Sequence, residues 1–333
     1  MITSLTKKIQ HSWYQAKSHL WLLLWPFSKI YTTFIRFYRW LYKRNLLTTV
    51  QFNTPIIIVG NITAGGTGKT PAVIYLVELL KKHGWHPGVV SRGYKGHARQ
   101  ILSVLPQSNP TWAGDEPVLI SKRTGCPVVI GKKRTKAVRY LLNNYSVNVV
   151  VSDDGLQHYA LGRHIEIAVI DGERRFGNGY CLPAGPLREP IERLKTIDFL
   201  ITNGKTDTTQ EHEMQLLSQS FYNICYPERV SIVSEWVGQK VHAVAGISNP
   251  NRFFKHLRQL GLHVIPHPFP DHHIFESSDL QYYDGYPVVM TEKDIVKCQN
   301  FALANCWYLP VTAKVSVSFN EKFLNRLCEV KND

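Results

Sequence analysis

Four consecutive β-branched residues, Ile56 to Val59, are followed by a polar, glycine-rich interval. Beyond it Val73, Leu76, Val77 and Leu80 recur at helical spacing. This pattern predicts a short buried strand, a tight turn and an amphipathic helix in succession. A second apolar run, Val149 to Val151, ends on the paired acids Asp153 and Asp154. The segments "PGVVSRGY" and "GCPVVIGKKR" repeat the motif of an apolar strand with polar residues after it. Ser91, Arg92, Gly93 and Tyr94 follow the first, and Lys132, Lys133 and Arg134 follow the second. In an open α/β sheet such residues gather at the carboxyl ends of the strands, where ligands bind and anionic oxygens could be held. Further on, "VHAVAGISNPNRFFKHLRQLG" reads as strand, turn and helix, and "YPVVMTEKD" as another strand ending in polar residues. The expected fold is α/β: a core with a mostly parallel sheet over residues 47–225 and a smaller α/β lobe over 226–333.

Residues 1–46 follow another pattern. The longest apolar run, Leu20 to Phe27, has 8 residues, whereas crossing a bilayer takes about 20. At about 100° per residue, Ile30, Phe34, Phe37 and Leu41 share one arc, and Lys29, Arg36, Arg39 and Lys43 fall on the opposite arc. Trp13, Trp21, Trp25 and Trp40 are nearby. The net charge of the 333-residue chain is +14, and residues 1–50 carry 8 Lys and Arg without an Asp or Glu. An aromatic face beside a basic face predicts a helix lying in the interface of an anionic membrane. The alternative is a helix that packs its apolar face on the protein's own core. The other positive charges are spread over the chain, so no extended nucleic-acid groove is demanded. The 6 cysteines are scattered, without a C-x-x-C pair, which excludes a zinc cluster of the usual spacing and suits buried, reduced thiols.

The interval after Val59 contains T-A-G-G-T-G-K-T, Thr63 to Thr70. It matches the phosphate-binding loop G-x-x-x-x-G-K-[ST] at Gly68, Lys69 and Thr70, with Thr63 where the pattern has glycine. Gly65 and Gly66 restore the backbone freedom. In that reading the N–H groups of Ala64, Gly65, Gly66, Thr67, Gly68 and Lys69 face an anion, Lys69 reaches the β- and γ-phosphates, and Thr70 holds Mg²⁺. Asp153 or Asp154 brings a carboxylate to the same ion. Two adjacent acids at a strand end are costly without a cation. Taken alone, the loop could be a glycine turn and the acid pair a solvated one.

The motifs together resemble the tetraacyldisaccharide 4'-kinases, which phosphorylate the lipid A disaccharide precursor at the cytoplasmic face of the inner membrane of Gram-negative bacteria. The resemblance rests on "VGNITAGGTGKTP", "SRGYKG", "GDEP", "DDGLQH", "LPAGPLREP", "FPDHHIF" and "TEKDIVK", in that order along nearly the whole chain. The family's threonine at the first loop position accounts for Thr63, and Lys95 is an insertion into its "SRGYG". The resemblance implies a P-loop kinase using ATP and Mg²⁺ on a membrane-borne glycolipid. Asp115 of "GDEP" is implied as the carboxylate that takes the proton from the sugar hydroxyl, with His272, or else His273, as its partner. Lys69, Arg134 and Mg²⁺ would neutralise charge on the transferred phosphoryl group. Ser91, Arg92, Tyr94, Arg188 and Glu189 are candidates for contacts with the substrate.

If His272 of the second lobe serves Asp115 of the first, the site is a cleft between lobes. The implied location is the anionic inner leaflet, with peripheral or monotopic attachment; no nucleic-acid partner is expected, and the oligomeric state stays open. The competing reading is a P-loop switch or nucleic-acid-stimulated ATPase that uses the basic amino-terminal segment on phosphate backbones.

Overall fold

Ile56–Gly60 (β1) is wholly buried in the middle of a nine-stranded sheet. The computed structural model describes residues 9–15, 20–93, 96–97, 100–298 and 301–332. Across the sheet the order is β3 (Leu102–Val104), β4 (Val128–Ile130), β2 (Pro87–Ser91), β5 (Val149–Asp153), β1, β6 (Ile165–Asp171), β7 (Phe199–Asn203), β8 (Glu211–Leu217) and β15 (Thr312–Val315). All neighbours from β4 to β8 pair in parallel, and the two edge strands pair antiparallel. Ile57 and Val59 pack on α2 (Lys69–Lys82), while Ile56 and Ile58 pack with Ala137, Val138 and Leu141 of α5 (Arg134–Asn144). Helices on both faces leave no strand position for a polar residue, and so β1 reads as an unbroken apolar run.

A second sheet has six strands, ordered β10 (Val230–Ile232), β9 (Ser220–Asn223), β14 (Cys306–Leu309), β13 (Val288–Thr291), β11 (Lys240–Ala245) and β12 (His263–Pro268). Phe253, Phe254 and Leu257 of α6 (Pro250–Gln259) cover it. Its strands lie between Ser220 and Leu309, a different division from the 226–333 read from hydropathy. The chain then returns: β15 pairs with β8, and Phe319, Phe323 and Leu327 of α8 (Val317–Asn332) join the core of the large sheet.

α1 (Leu20–Lys43) docks through a face that the hydropathy pattern did not mark. Ser28 Oγ donates to the Cys181 carbonyl at 2.7 Å, Tyr31 OH to the Arg188 carbonyl at 3.0 Å, and Arg39 Nη2 to Thr196 Oγ1 at 2.8 Å. Tyr38 and Tyr42 meet the Tyr159 ring. The helix thus has three sectors, and contact with the body uses the hydroxyl-bearing one, with Arg36 and Arg39 of the basic sector reaching Glu192 and Thr196. Phe34 and Phe37 remain 61% and 54% exposed, and Leu23, Phe27 and Ile30 are exposed with them. The apolar arc therefore does not pack on the protein's own core. Trp25 and Trp40 are also exposed, whereas Trp13 is buried with Nε1 on the Pro183 carbonyl and Trp21 stacks on Tyr180. Among the described residues no helix is long and apolar enough to cross a membrane.

Candidate active site

The glycine-rich turn lies between the end of β1 and the first turn of α2. Gly68 sits at φ 98, a left-handed conformation that glycine adopts freely. A Cβ there would overlap the Asn203 side-chain amide, which donates to the Thr67 carbonyl at 3.0 Å. Asn61 Nδ2 donates to the Gly65 carbonyl at 3.3 Å. These bonds engage two of the loop's carbonyls, those of Gly65 and Thr67, with side-chain amides. The start of the loop is anchored differently from the sequence reading. Thr63 is buried in a bridge to Leu187, and the Ala64 N–H, expected to face the anion, donates to the Pro186 carbonyl at 2.7 Å. The segment "LPAGPLREP" is thereby stitched to the loop.

Lys69 and the paired acids come together. Lys69 Nζ lies 3.5 Å from Asp154 Oδ1, and Arg188 Nη1 lies 3.1 Å from both Asp154 oxygens. Burial raises the Asp154 carboxyl, but Lys69 and Arg188 outweigh it and hold the group at about 2. Asp154 has φ 49, a conformation that costs a non-glycine residue roughly 1 kcal/mol or more. Asp153 points elsewhere: Ser91 Oγ donates to its Oδ2 at 3.0 Å, and its Oδ1 is buried without a hydrogen-bond partner among the described residues. Burial, with Glu116 and Asp154 close by, pushes its carboxyl up to about 7.

Asp115 begins α4 (Asp115–Thr124), next to the short α3 (Pro110–Ala113), and is 4% exposed. His272 Nδ1 reaches it from the other lobe, at 2.8 Å from Oδ2 and 3.1 Å from Oδ1. His272 has φ 62, and its own N–H donates to the Gly246 carbonyl. Its neighbour His273 turns away to Asp279 Oδ2 at 2.9 Å. Burial would raise the Asp115 carboxyl, yet His272, Lys293 and Lys297 bring it down to about 2. Asp115 is therefore an anion throughout the neutral range. Asp115, His272 and Lys297 line a cavity of about 580 Å³ that extends past Asn109 and Thr111.

Other expected contacts resolve differently. Arg134 is 2% exposed, with Nη2 on the Asp153 carbonyl at 2.7 Å and Nη1 on the Gly131 carbonyl at 3.2 Å. It closes two strand ends rather than opening onto the cavity. Glu189 is 1% exposed and accepts from Gln157 Nε2 at 2.8 Å and from Tyr159 OH. Ser91 is occupied by Asp153, Arg92 is exposed, and Tyr94 lies outside the described residues.

The sequence reading assigned no role to Lys293, which opens α7 (Glu292–Ile295) with its neighbour Glu292. Its ammonium stands 2.9 Å from Glu116 Oε1, 3.8 Å from Asp271 and 3.9 Å from Asp115. Burial would lower Lys293, but Glu116, Asp115 and Asp271 push it well up. The signal available was two lysines four apart after a strand end, in "TEKDIVK".

Known proteins are similar to this chain over nearly its whole length. A family model described as tetraacyldisaccharide-1-P 4'-kinase matches residues 20–328. A protein of Methylobacillus flagellatus called tetraacyldisaccharide 4'-kinase is 47% identical over 325 residues, covering 97% of each chain. One of the same name from Legionella pneumophila is 46% identical over 317 residues, 95% of this chain and 96% of that one. Among solved structures, LpxK from Aquifex aeolicus in complex with ATP matches with a TM-score of 0.76 and 28% identity, over 93% of this chain and 99% of that one.

Proposed function

This chain belongs to the tetraacyldisaccharide-1-P 4'-kinase family, and from that premise we propose how its residues perform the reaction. The chain is an ATP-dependent kinase that transfers the γ-phosphate to the 4'-hydroxyl of the tetraacyldisaccharide 1-phosphate precursor of lipid A. The observation that carries the residue assignment is the 3.5 Å approach of Lys69 Nζ to Asp154 Oδ1. It joins the glycine-rich loop to Asp154, the second of the paired acids.

ATP lies with its phosphates along the N–H groups from Gly65 to Lys69. Lys69 leaves Asp154 for the β- and γ-phosphates, and Arg188 keeps Asp154 paired meanwhile. Thr70 and Asp153 would hold Mg²⁺: Asp153 Oδ1 is a buried oxygen with no hydrogen-bond partner among the described residues, in a carboxyl that burial pushes up. No cluster of three or more His, Cys, Asp or Glu that could hold a metal exists among the described residues. An Mg²⁺ ion here would be held by one or two protein oxygens together with the substrate's phosphates. Such an ion would neutralise charge on the β- and γ-oxygens.

The acceptor's 4'-hydroxyl sits in the cavity against Asp115, whose carboxylate accepts its hydrogen bond. As the sugar oxygen bonds to the γ-phosphorus and the bond to the ADP oxygen breaks, the hydroxyl proton passes to the Asp115–His272 pair. A carboxylate held near 2 is a weak base, but a loose phosphoryl transition state needs an oriented acceptor more than a strong one. Arg134 acts through charge and by fixing the strand end that carries Asp153. The exposed apolar arc of α1 lies in the cytoplasmic interface of the inner membrane, where the acylated substrate resides.

The test is to incubate the purified full chain with γ-labelled ATP, Mg²⁺, detergent and the acylated disaccharide 1-phosphate. Labelled lipid is the expected product. ATP hydrolysis without labelled lipid, or hydrolysis that requires added DNA or RNA, contradicts the reading.

A further inference from the structure

A second cavity, of about 280 Å³, opens where α1 ends. Its lining includes the cations Arg39, Lys43, Arg163 and Arg193 and one carboxylate, Glu166. The two inner arginines are already neutralised. Arg163 Nη1 donates to Glu166 Oε1 at 2.7 Å, Arg193 Nη2 bonds the same oxygen, and Arg193 Nε lies 3.6 Å from Glu189 Oε2. The surplus comes from α1. Arg39 uses Nη2 on Thr196 Oγ1, and Lys43 has no hydrogen bond or ion pair among the described residues. Two outer cations above a floor of internally paired arginines make a positive pocket with donors still to satisfy.

Its place in the fold narrows the ligand. Trp40, exposed between the basic and apolar arcs, lies three residues before Lys43 and about 60° from it around the helix that supplies Arg39 and Lys43. A ligand filling the pocket has its charged group beside those cations and any hydrocarbon beside the exposed Trp40. A guanidinium fork with a neighbouring ammonium suits phosphate oxygens. We infer that this pocket binds the phosphate of a lipid whose chains leave it past Trp40, at the end of α1. The inference rests on the reading of α1 as an interface helix. Two lipids carry the required group, the acceptor through its 1-phosphate and an anionic membrane phospholipid.

The experiment compares the pocket pair Arg39→Gln/Lys43→Gln with a control pair, Lys29→Gln/Arg44→Gln. The control removes the same charge from exposed residues of the same segment, both stacked on tryptophans outside the pocket. Equal melting temperatures establish that both pairs fold. Binding is measured on phosphatidylcholine vesicles with and without phosphatidylglycerol, and acceptor KM in phospholipid-free neutral detergent micelles.

If the phospholipid is the occupant, the pocket pair loses about tenfold more vesicle affinity than the control, as localised charge-assisted bonds require, and KM in micelles is unchanged. If the acceptor is the occupant, KM in micelles rises by about tenfold for the pocket pair at constant kcat. Equal losses for both pairs on vesicles, together with an unchanged KM, overturn the proposal. Failure of the wild-type chain to bind the vesicles overturns the interface reading of α1 instead, and the micelle KM still tests the pocket.

Discussion

His272, from the six-stranded lobe, places Nδ1 2.8 Å from Oδ2 of Asp115 at the start of α4 on the nine-stranded lobe. The pair is 157 residues apart in the chain, so each lobe holds half of it. Lys293 and Lys297 stand behind the carboxylate at 3.9 Å each. One buried anion is thus ringed by groups from the other lobe.

That ring makes stability depend on pH. The Asp115 carboxyl falls from its ordinary 3.8 to about 2 on folding, so the group contributes stability that is fully present above about pH 4. The contribution is lost as pH falls through about 2. The groups facing it are His272, Lys293 and Lys297. Asp115→Asn is expected to lower stability at pH 6 by on the order of 2 kcal/mol, with the gap to wild type narrowing below pH 4. Urea titrations at several pH values check this; a gap that widens toward acid contradicts it.

Lys293→Met leaves Glu116 and Asp271 beside Asp115 without their shared cation. Breaking a buried charge cluster from one side costs about 3–5 kcal/mol, so the variant is expected to unfold at markedly lower urea concentration. Adding Glu116→Gln recovers part of the loss. A single variant within about 0.5 kcal/mol of wild type shows that the lysine holds nothing together.

Much of the phosphate-binding half was legible in the sequence because its signals are local. β1, the loop and α2 follow one another within Ile56–Lys82, and the paired acids directly end an apolar run. The rest depends on distant contacts. Glu116 and Lys293 meet across 177 residues, and no periodicity marks a pair that far apart. Arg134 and Glu189 read as available charges because a sequence does not tell a surface arginine from one buried on backbone carbonyls. Hydropathy separated apolar from basic residues on α1, yet the face that docks carries Ser28, Tyr31 and Tyr38, which the scale counts as neither. β15 pairs with β8 from about a hundred residues further along the chain, a contact that no local pattern marks.

Gly68→Ala places a side chain at φ 98 and into the Asn203 amide. Turning the Asn203 amide away would relieve the overlap but not the strain at this φ, so the loop's N–H groups, proposed to hold the phosphates, must shift. ATP affinity is expected to fall at least about tenfold, equivalent to 1.4 kcal/mol, as measured by calorimetric titration. Unchanged affinity argues that ATP does not lie on this loop.

Phe34→Ser with Phe37→Ser tests the outward face of α1. Both rings are exposed, so folding stability is expected to change by less than about 0.5 kcal/mol. Each ring carries roughly 1.5–3 kcal/mol of transfer energy when buried, so partition onto anionic vesicles is expected to drop by more than about tenfold. A fall in melting temperature with unchanged partition shows that the rings pack against protein.

Asp115→Ala tests the central claim most directly, that the carboxylate paired with His272 receives the acceptor's proton while the loop holds ATP. ATP affinity by calorimetry and single-turnover transfer of labelled γ-phosphate to the lipid are measured on the same preparation. The account predicts an affinity within about threefold of wild type and a transfer rate lower by about 10²–10⁴. Transfer at the wild-type rate contradicts it.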